Sequence, residues 1–145
     1  MTGAWAVLGA VVVTVATGLL LRSREGRIST RRAGPPAVPD LPEPVRTLLA
    51  PGAAVTLVQI STTFCAPCRH TRVLLSDLAG RTEGLRHAEL DVTRTPEVAA
   101  RLGVLRTPTT LALDPAGREL LRVSGVPERS ALLDALRPHL ISPIG

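Results

Sequence analysis

The order of apolar and polar positions divides this chain into an uncharged N-terminal stretch, a proline-rich stretch and a series of strand and helix patterns. Residues 3–21 carry no charge and are rich in Val, Ala and Leu. As a helix rising about 1.5 Å per residue they would span about 28 Å, close to the roughly 30 Å apolar core of a bilayer. The pattern therefore predicts one transmembrane helix over residues 3–21.

The residues that flank this stretch favour an uncleaved anchor over a cleaved signal peptide. Signal peptides open with basic residues, and no Lys or Arg precedes the apolar stretch. The basic residues follow it instead: Arg22, Arg24, Arg27, Arg31 and Arg32. Because cytoplasmic flanks carry the excess of Lys and Arg, we expect a single-pass protein of the cell membrane with its domain on the cytoplasmic side. The extracytoplasmic side is the alternative.

Residues 22–43 are rich in Arg and Pro and contain few large apolar residues. Proline-rich chain is extended and semi-rigid. We expect this segment to be a juxtamembrane linker that holds a domain at 44–145 away from the membrane. The basic cluster suits contact with anionic lipid head groups.

Beyond the linker, strand and helix patterns alternate. A near-continuous apolar run at 55–61 is typical of a buried parallel strand, and the stretch from Cys65 to about Ala79 has a helical apolar face that includes Val73, Leu75 and Leu78. The remaining predicted elements are helix 44–50, strand 85–92, helix 96–102, strands 109–114 and 119–124, and a helix from 127 or 128 to 140. Alternation followed by a hairpin predicts an α/β fold with a mixed central sheet and helices on both faces.

Composition narrows the classes of function. The chain has 145 residues and a net charge of +5, and all its basic residues are Arg. Nucleic-acid binding is not expected, because Phe64 is the only aromatic residue of the domain and its acidic and basic residues are interspersed. No role is assigned to His70, His87 or His139.

The chemistry centres on the only two cysteines, Cys65 and Cys68, which stand where a strand pattern gives way to a helix pattern. The free N–H groups of a helix N-terminus stabilise a thiolate and lower the thiol pKa. A second thiol one turn later can close a disulfide with the first. Pro67 fits the first turn, where its missing N–H costs little. This combination predicts thiol–disulfide exchange at a redox-active Cys65–Cys68 pair.

Other uses of the two cysteines fit less well. A static disulfide is uncommon in a cytoplasmic domain. A structural zinc site needs four ligands, and only His70 is near in sequence, so no metal is expected. Haem attachment requires His directly after the second Cys, and Arg69 stands there. No cofactor is predicted.

From about Val55 to Leu140 the chain resembles the thioredoxin family. The matching segments are 64–69, 89–93, 96–104, 107–109 and Gly125. The resemblance implies a thioredoxin-like fold in which the Thr107–Pro108 peptide is cis and Pro108 packs against the cysteine pair. It also implies that the backbone of Thr107 pairs with an extended substrate chain.

Four positions depart from the family pattern, one of them Ala66, where Gly is commoner. Thioredoxins usually have Trp immediately before the first Cys, and this chain has Phe64. They usually bury an acid six residues before that Cys and pair it with Lys on the next strand; here these positions are Gln59 and Glu89. One hypothesis is that Glu89, with a pKa raised by partial burial, accepts the Cys68 proton. The alternative is that Glu89 faces solvent and water accepts the proton.

The sequence thus predicts a membrane-anchored thiol–disulfide oxidoreductase, most simply a monomeric disulfide reductase. Its partners would be protein disulfides and an unidentified electron donor, either a thioredoxin reductase or a membrane thiol reductase. A dedicated electron carrier between a membrane reductase and one client protein is the first alternative. A non-catalytic thioredoxin-like binding module is the second.

Overall fold

A computed structural model describes residues 2–23, 26–29 and 41–141 of this chain. Its elements, in chain order, are helix α1 (Thr2–Arg22), strand β1 (Arg27–Ser29), helix α2 (Glu43–Arg46), strand β2 (Val55–Ser61), helix α3 (Ala66–Arg81), strand β3 (Leu85–Asp91), helix α4 (Pro96–Arg101), strands β4 (Thr109–Leu113) and β5 (Glu119–Ser124), and helix α5 (Arg129–Leu140). From α2 to α5 the elements follow the predicted order, in which helices and strands alternate up to the β4–β5 hairpin and a helix closes the chain.

The strands form one mixed sheet in the order β1-β5-β4-β2-β3. β2 pairs in parallel with β3 and antiparallel with β4, and β5 is antiparallel to both β4 and β1. β2 therefore has a hydrogen-bonded neighbour on each edge, and all seven of its residues are buried. Its near-continuous apolar pattern reflects that central position.

Helices cover both faces of the sheet, as predicted. Alternate residues of β2 point to opposite faces: Val55 and Leu57 pack with α3 and α5, whereas Val58 and Ile60 pack with α2 and α4. The first face is completed by Leu75, Leu78, Leu85, Ala112, Leu121, Val123, Leu132 and Leu136. Leu132 and Leu136 are the buried apolar residues of the last helix.

The N-terminal stretch is helical, and Gly3–Arg22 is long and apolar enough to cross a membrane. None of it is buried against the rest of the protein. Membrane insertion and the side on which the domain lies stay predictions.

Strand β1 corrects the prediction that 22–43 is entirely an extended spacer. Ile28 pairs with Val123 of β5, and its side chain packs against the core on the face of the sheet that α3 and α5 cover. A strand of three residues with one apolar side chain has no distinctive period, so only its pairing with β5 identifies it. Residues 24–25 and 30–40, which include most of the predicted linker, and residues 142–145 lie outside the described residues.

Two helices differ in detail from their predicted form. α2 ends at Arg46 rather than at residue 50. α3 continues through Gly80 to Arg81, and the turn into β3 uses Gly84 at φ +77. Val73 was placed on the apolar face of α3 but is 67% exposed, because the buried side of the helix follows Cys68, Thr71, Leu75 and Leu78 at spacings of three and four residues.

Candidate active site

Cys65 is the N-cap residue of α3, and Cys68 lies in its first turn. The two residues form a disulfide with their Cα atoms 5.2 Å apart. Cys65 is partly exposed, whereas Cys68 is 2% exposed. An attacking thiol must be accessible and a resolving thiol need not be, so the two sulfurs differ in the way that a two-step exchange requires.

The local backbone places a hydrogen-bond donor on the Cys65 sulfur. Cys65 is extended, with φ −92 and ψ 99, and its Sγ accepts a hydrogen bond of 3.2 Å from the backbone N–H of Cys68. This is the side-chain capping that helix N-termini favour, with sulfur as the acceptor. Pro67 stands in the same turn, where a missing N–H leaves no helical hydrogen bond unmade. The arrangement stabilises negative charge on Cys65 when the pair is reduced.

A second loop meets the cysteine loop at the same edge of the sheet. Ile60, near the end of β2, pairs with Thr109, at the start of β4, so the segments that adjoin these residues are neighbours. The hydroxyl oxygens of Thr62 and Thr107 lie 3.5 Å apart. The Thr107–Pro108 peptide is cis, as the resemblance implies, and Pro108 is buried.

Gly125 supports this second loop. Its N–H donates a hydrogen bond of 2.8 Å to the carbonyl of Pro108. Its φ is +88, and a Cβ at this position would lie 2.8 Å from Nη2 of Arg106 and 3.3 Å from the backbone nitrogen of Gly26. The positive φ favours glycine here, and the backbone nitrogen of Gly26 leaves little room for a Cβ.

Gln59 occupies the position of the family's buried acid and is completely buried. Its Nε2 donates a hydrogen bond of 2.8 Å to the backbone carbonyl of Cys68. Its Oε1 lies 3.3 Å from Nε2 of His87, and Nδ1 of His87 lies 3.0 Å from Oγ of Ser76. Burial lowers the pKa of His87, an effect that the Glu89 carboxylate opposes and Arg72 reinforces.

Sequence reasoning missed His87. It stands two residues before Glu89 on β3, and residues at that separation on a strand point to the same face of a sheet. The register of β2 with β3 pairs Gln59 with Glu89 and Leu57 with His87. In the sequence, only the spacing of two residues between His87 and Glu89 could have placed His87 on the same face of the sheet as Gln59.

The structure corrects the hypothesis for Glu89. The carboxylate accepts hydrogen bonds from Arg72, whose Nη2 is 2.8 Å from Oε1, and from Ser61, whose Oγ is 2.7 Å from the same oxygen. The Arg72 hydrogen bond lowers the pKa of Glu89, and that of Ser61 contributes in the same direction against the effect of burial. A carboxylate with a lowered pKa is a weaker base, so Glu89 does not match the proposed proton acceptor with a raised pKa.

Replacing Glu89 by Gln is expected to leave turnover within about twofold of wild type between about pH 6 and 8, because the carboxylate bonds to Arg72 and Ser61 rather than to Cys68. Stability at about pH 7 should fall by about 1 kcal/mol, a value reduced for the exposure of Arg72. Because the pKa of Glu89 is lower in the folded state, this contribution is present above its unfolded pKa of about 4.3 and is lost as pH falls through the folded value.

Denaturant unfolding of wild type and E89Q at several pH values measures this stability, and insulin turnover measures the activity. A stability difference that persists in acid, or an activity loss that grows with pH, would contradict the assignment of Glu89 to an ion pair.

Within residues 2–23, 26–29 and 41–141, no three His, Cys, Asp or Glu side chains come together in a way that could hold a metal ion. The arrangement suits reversible formation of one disulfide.

Comparison with known proteins agrees with this geometry. The family model described as Thioredoxin matches residues 46–138. Thioredoxin of Staphylococcus saprophyticus is 30% identical over 89 residues, which are 61% of this chain and 85% of that protein. Thioredoxin of Staphylococcus haemolyticus is 32% identical with the same coverage. The structure of Fasciola hepatica thioredoxin is similar with a TM-score of 0.52 and 27% identity, over 61% of this chain and 82% of that one.

Proposed function

We propose, from the premise that this chain belongs to the thioredoxin family and is a thiol–disulfide oxidoreductase, that it reduces protein disulfides while anchored to a membrane. The observation that carries the proposal is the asymmetric pair at the start of α3. Cys65 is partly exposed and receives an amide hydrogen bond, whereas its partner Cys68 is 2% exposed.

Two exchange steps account for the reaction. The Cys65 thiolate attacks one sulfur of a substrate disulfide, which forms a Cys65–substrate disulfide and releases the other substrate sulfur as a thiolate. The Cys68 thiolate then attacks the sulfur of Cys65, forms the Cys65–Cys68 disulfide and releases the second substrate thiolate. Two electrons pass from the protein to the substrate. The protons lost by the two cysteines end on the two substrate thiols, directly or through solvent.

The loop at Thr107 is the proposed substrate-binding backbone. The position of Thr107 supports this role: its hydroxyl oxygen lies 3.5 Å from that of Thr62 in the cysteine loop. Phe64 and Leu105, which adjoin the two loops in sequence, are 95% and 98% exposed. Apolar side chains exposed to this degree beside a reactive sulfur suit contact with an unfolded or extended protein chain. A structure of the Cys68→Ser variant linked to a substrate peptide would test whether that peptide pairs with Thr107.

The reductase proposal is tested with the full chain in detergent micelles. The reduced protein is expected to reduce insulin with dithiothreitol as the electron donor. Equilibration of the Cys65–Cys68 couple against glutathione should give a potential more reducing than that of glutathione, because the direction of exchange follows the two potentials. Failure to reduce insulin with retained trapping of one protein would favour a dedicated electron carrier. Absence of both would contradict the oxidoreductase proposal in favour of a binding module.

Anchoring by α1 rests on its length and its lack of charge. The Arg residues after it favour a cytoplasmic domain by the positive-inside rule. Two reporters fused after Gly145, one active only in the cytoplasm and one active only outside it, test the orientation. Activity of the second reporter alone would place the domain on the extracytoplasmic side. Recovery of the mature chain without α1 would show that α1 is a cleaved signal peptide and not an anchor.

A further inference from the structure

Four residues from three elements form an unbroken line of hydrogen bonds that ends at the buried cysteine. It runs from Ser76 on α3 to His87 on β3, on to Gln59 on β2, and back to α3 at the backbone carbonyl of Cys68. The three donor–acceptor distances are 3.0, 3.3 and 2.8 Å. The exchange steps described above do not use His87, Gln59 or Ser76.

The direction of each hydrogen bond follows from the last one. The carbonyl oxygen of Cys68 can only accept, so the Gln59 atom 2.8 Å away must be the donating Nε2. Oε1 of Gln59 then faces His87 and needs a donor, so Nε2 of His87 must carry a hydrogen. In a neutral imidazole Nδ1 is then the acceptor, and the Ser76 hydroxyl supplies its hydrogen.

An amide suits this site better than the acid that the family usually buries there. An ionised carboxylate at residue 59 would place acceptor against acceptor at the Cys68 carbonyl, in a position that is completely buried. An amide that donates to Cys68 from a buried position also buries its oxygen, which costs free energy unless another group donates to it. The structure provides that donor in His87, which a sequence with Glu or Asp at this position would not need.

We propose that His87 is a positioning residue for the resolving cysteine: through Gln59 it holds the first turn of α3 so that Cys68 can attack the sulfur of Cys65. The inference rests on the proposed function, since it concerns the second of the two exchange steps. In that step the Cys68 thiolate displaces the substrate sulfur from Cys65, the protein disulfide forms and the substrate leaves as a thiolate.

The first step should not depend on His87. Cys65 is held by its own cap, the 3.2 Å hydrogen bond from the Cys68 N–H, and it meets a substrate that arrives from solvent. The second step joins two groups of the same chain, and its rate depends on how well they are oriented. Loss of the His87 donor leaves Oε1 of Gln59 buried without a partner, so the amide is no longer fixed from both ends in the orientation that donates to the Cys68 carbonyl.

The test separates the two steps with 5,5′-dithiobis(2-nitrobenzoate) and the reduced full chain in detergent. Attack by Cys65 releases one thionitrobenzoate in a second-order phase, and attack by Cys68 on the resulting mixed disulfide releases another in a first-order phase. His87→Leu is expected to slow the first-order phase about tenfold and to leave the second-order phase within about twofold of wild type.

Three matched variants make the result specific. His87→Gln keeps a donor at the position of Nε2 and should bring the first-order phase to within about threefold of wild type. Ser76 is exposed, so Ser76→Ala leaves the core undisturbed. The substitution removes the hydroxyl that fixes the tautomer of His87 and should slow the first-order phase about threefold. His139→Leu makes the same exchange at a histidine outside the line and should change neither phase.

A first-order phase in H87L and S76A at the wild-type rate would overturn the inference, and so would an H87Q variant as slow as H87L. Equal slowing of both phases with a matching loss of stability would mean that His87 only stabilises the fold and does not position Cys68. A wild-type protein that releases only one thionitrobenzoate per chain would instead contradict the proposed function, because Cys68 would then not resolve the mixed disulfide.

Discussion

Insulin reduction is expected to fall by at least about 1,000-fold when Cys65 is replaced by Ser, because a hydroxyl cannot form the mixed disulfide on which both electron transfers depend. The structure makes this residue the point of attack. Cys65 is partly exposed and its sulfur accepts a hydrogen bond from the first turn of α3, whereas Cys68 is buried. Turnover of C65S is measured with dithiothreitol as the donor, and denaturant unfolding checks that the domain remains folded.

Replacement of Cys68 by Ser should abolish turnover equally and yet give a different product. The first exchange still occurs, so the protein should accumulate as a disulfide-linked complex with its substrates, visible as adducts on non-reducing gels and absent after dithiothreitol. C65S is the matched control, since it removes the other sulfur of the same pair. If C65S trapped substrates as well as C68S does, the assignment of attacking and resolving roles would be reversed or wrong.

Truncation of Leu75 to Ala is expected to lower the free energy of unfolding by about 2–5 kcal/mol, the usual range for a completely buried leucine. Leu75 lies two turns after Cys68 on the same helix, is 0% exposed and packs in the cluster formed by β2, β5 and α5. Domains of this size are stable by about 5–15 kcal/mol, so a large share of that margin would be lost. Urea unfolding of the full chain in detergent measures it.

Val73→Ala provides the control, because it shortens a side chain two residues away on the same helix that is 67% exposed. Its effect should stay within about 0.5 kcal/mol. Equal destabilisation by the two substitutions would mean that α3 does not pack on the sheet by the face that carries Cys68 and Leu75.

Much of the fold could be predicted because its signals are local. The central strand, predicted at 55–61, forms at Val55–Ser61, since a strand buried on both faces is rich in apolar residues along its whole length. β5 was likewise predicted at its observed bounds, Glu119–Ser124. The start of α3 was predicted from a cysteine, a proline and a following apolar face, which are the same features that cap and propagate a helix.

The sequence left roles open, or missed a contact, where a residue's neighbour is distant in sequence. Glu89 was considered as a base with a raised pKa because partial burial alone would have that effect, and the sequence did not show that Arg72, 17 residues away, would pair with it. His87 received no role because its partners Gln59 and Ser76 lie on two other elements. β1 was read as linker because its only strong signal is its pairing with β5.

The sequence alone therefore determined that two thiols stand at the start of a helix beside a buried strand, and with that the class of chemistry, since a helix N-terminus acts on the residues that form it. Only the tertiary structure decided which thiol is covered, which loop adjoins it and which side chains hold it in place. Those properties depend on contacts across the sheet, where a period of two residues selects a face but the register selects the partner.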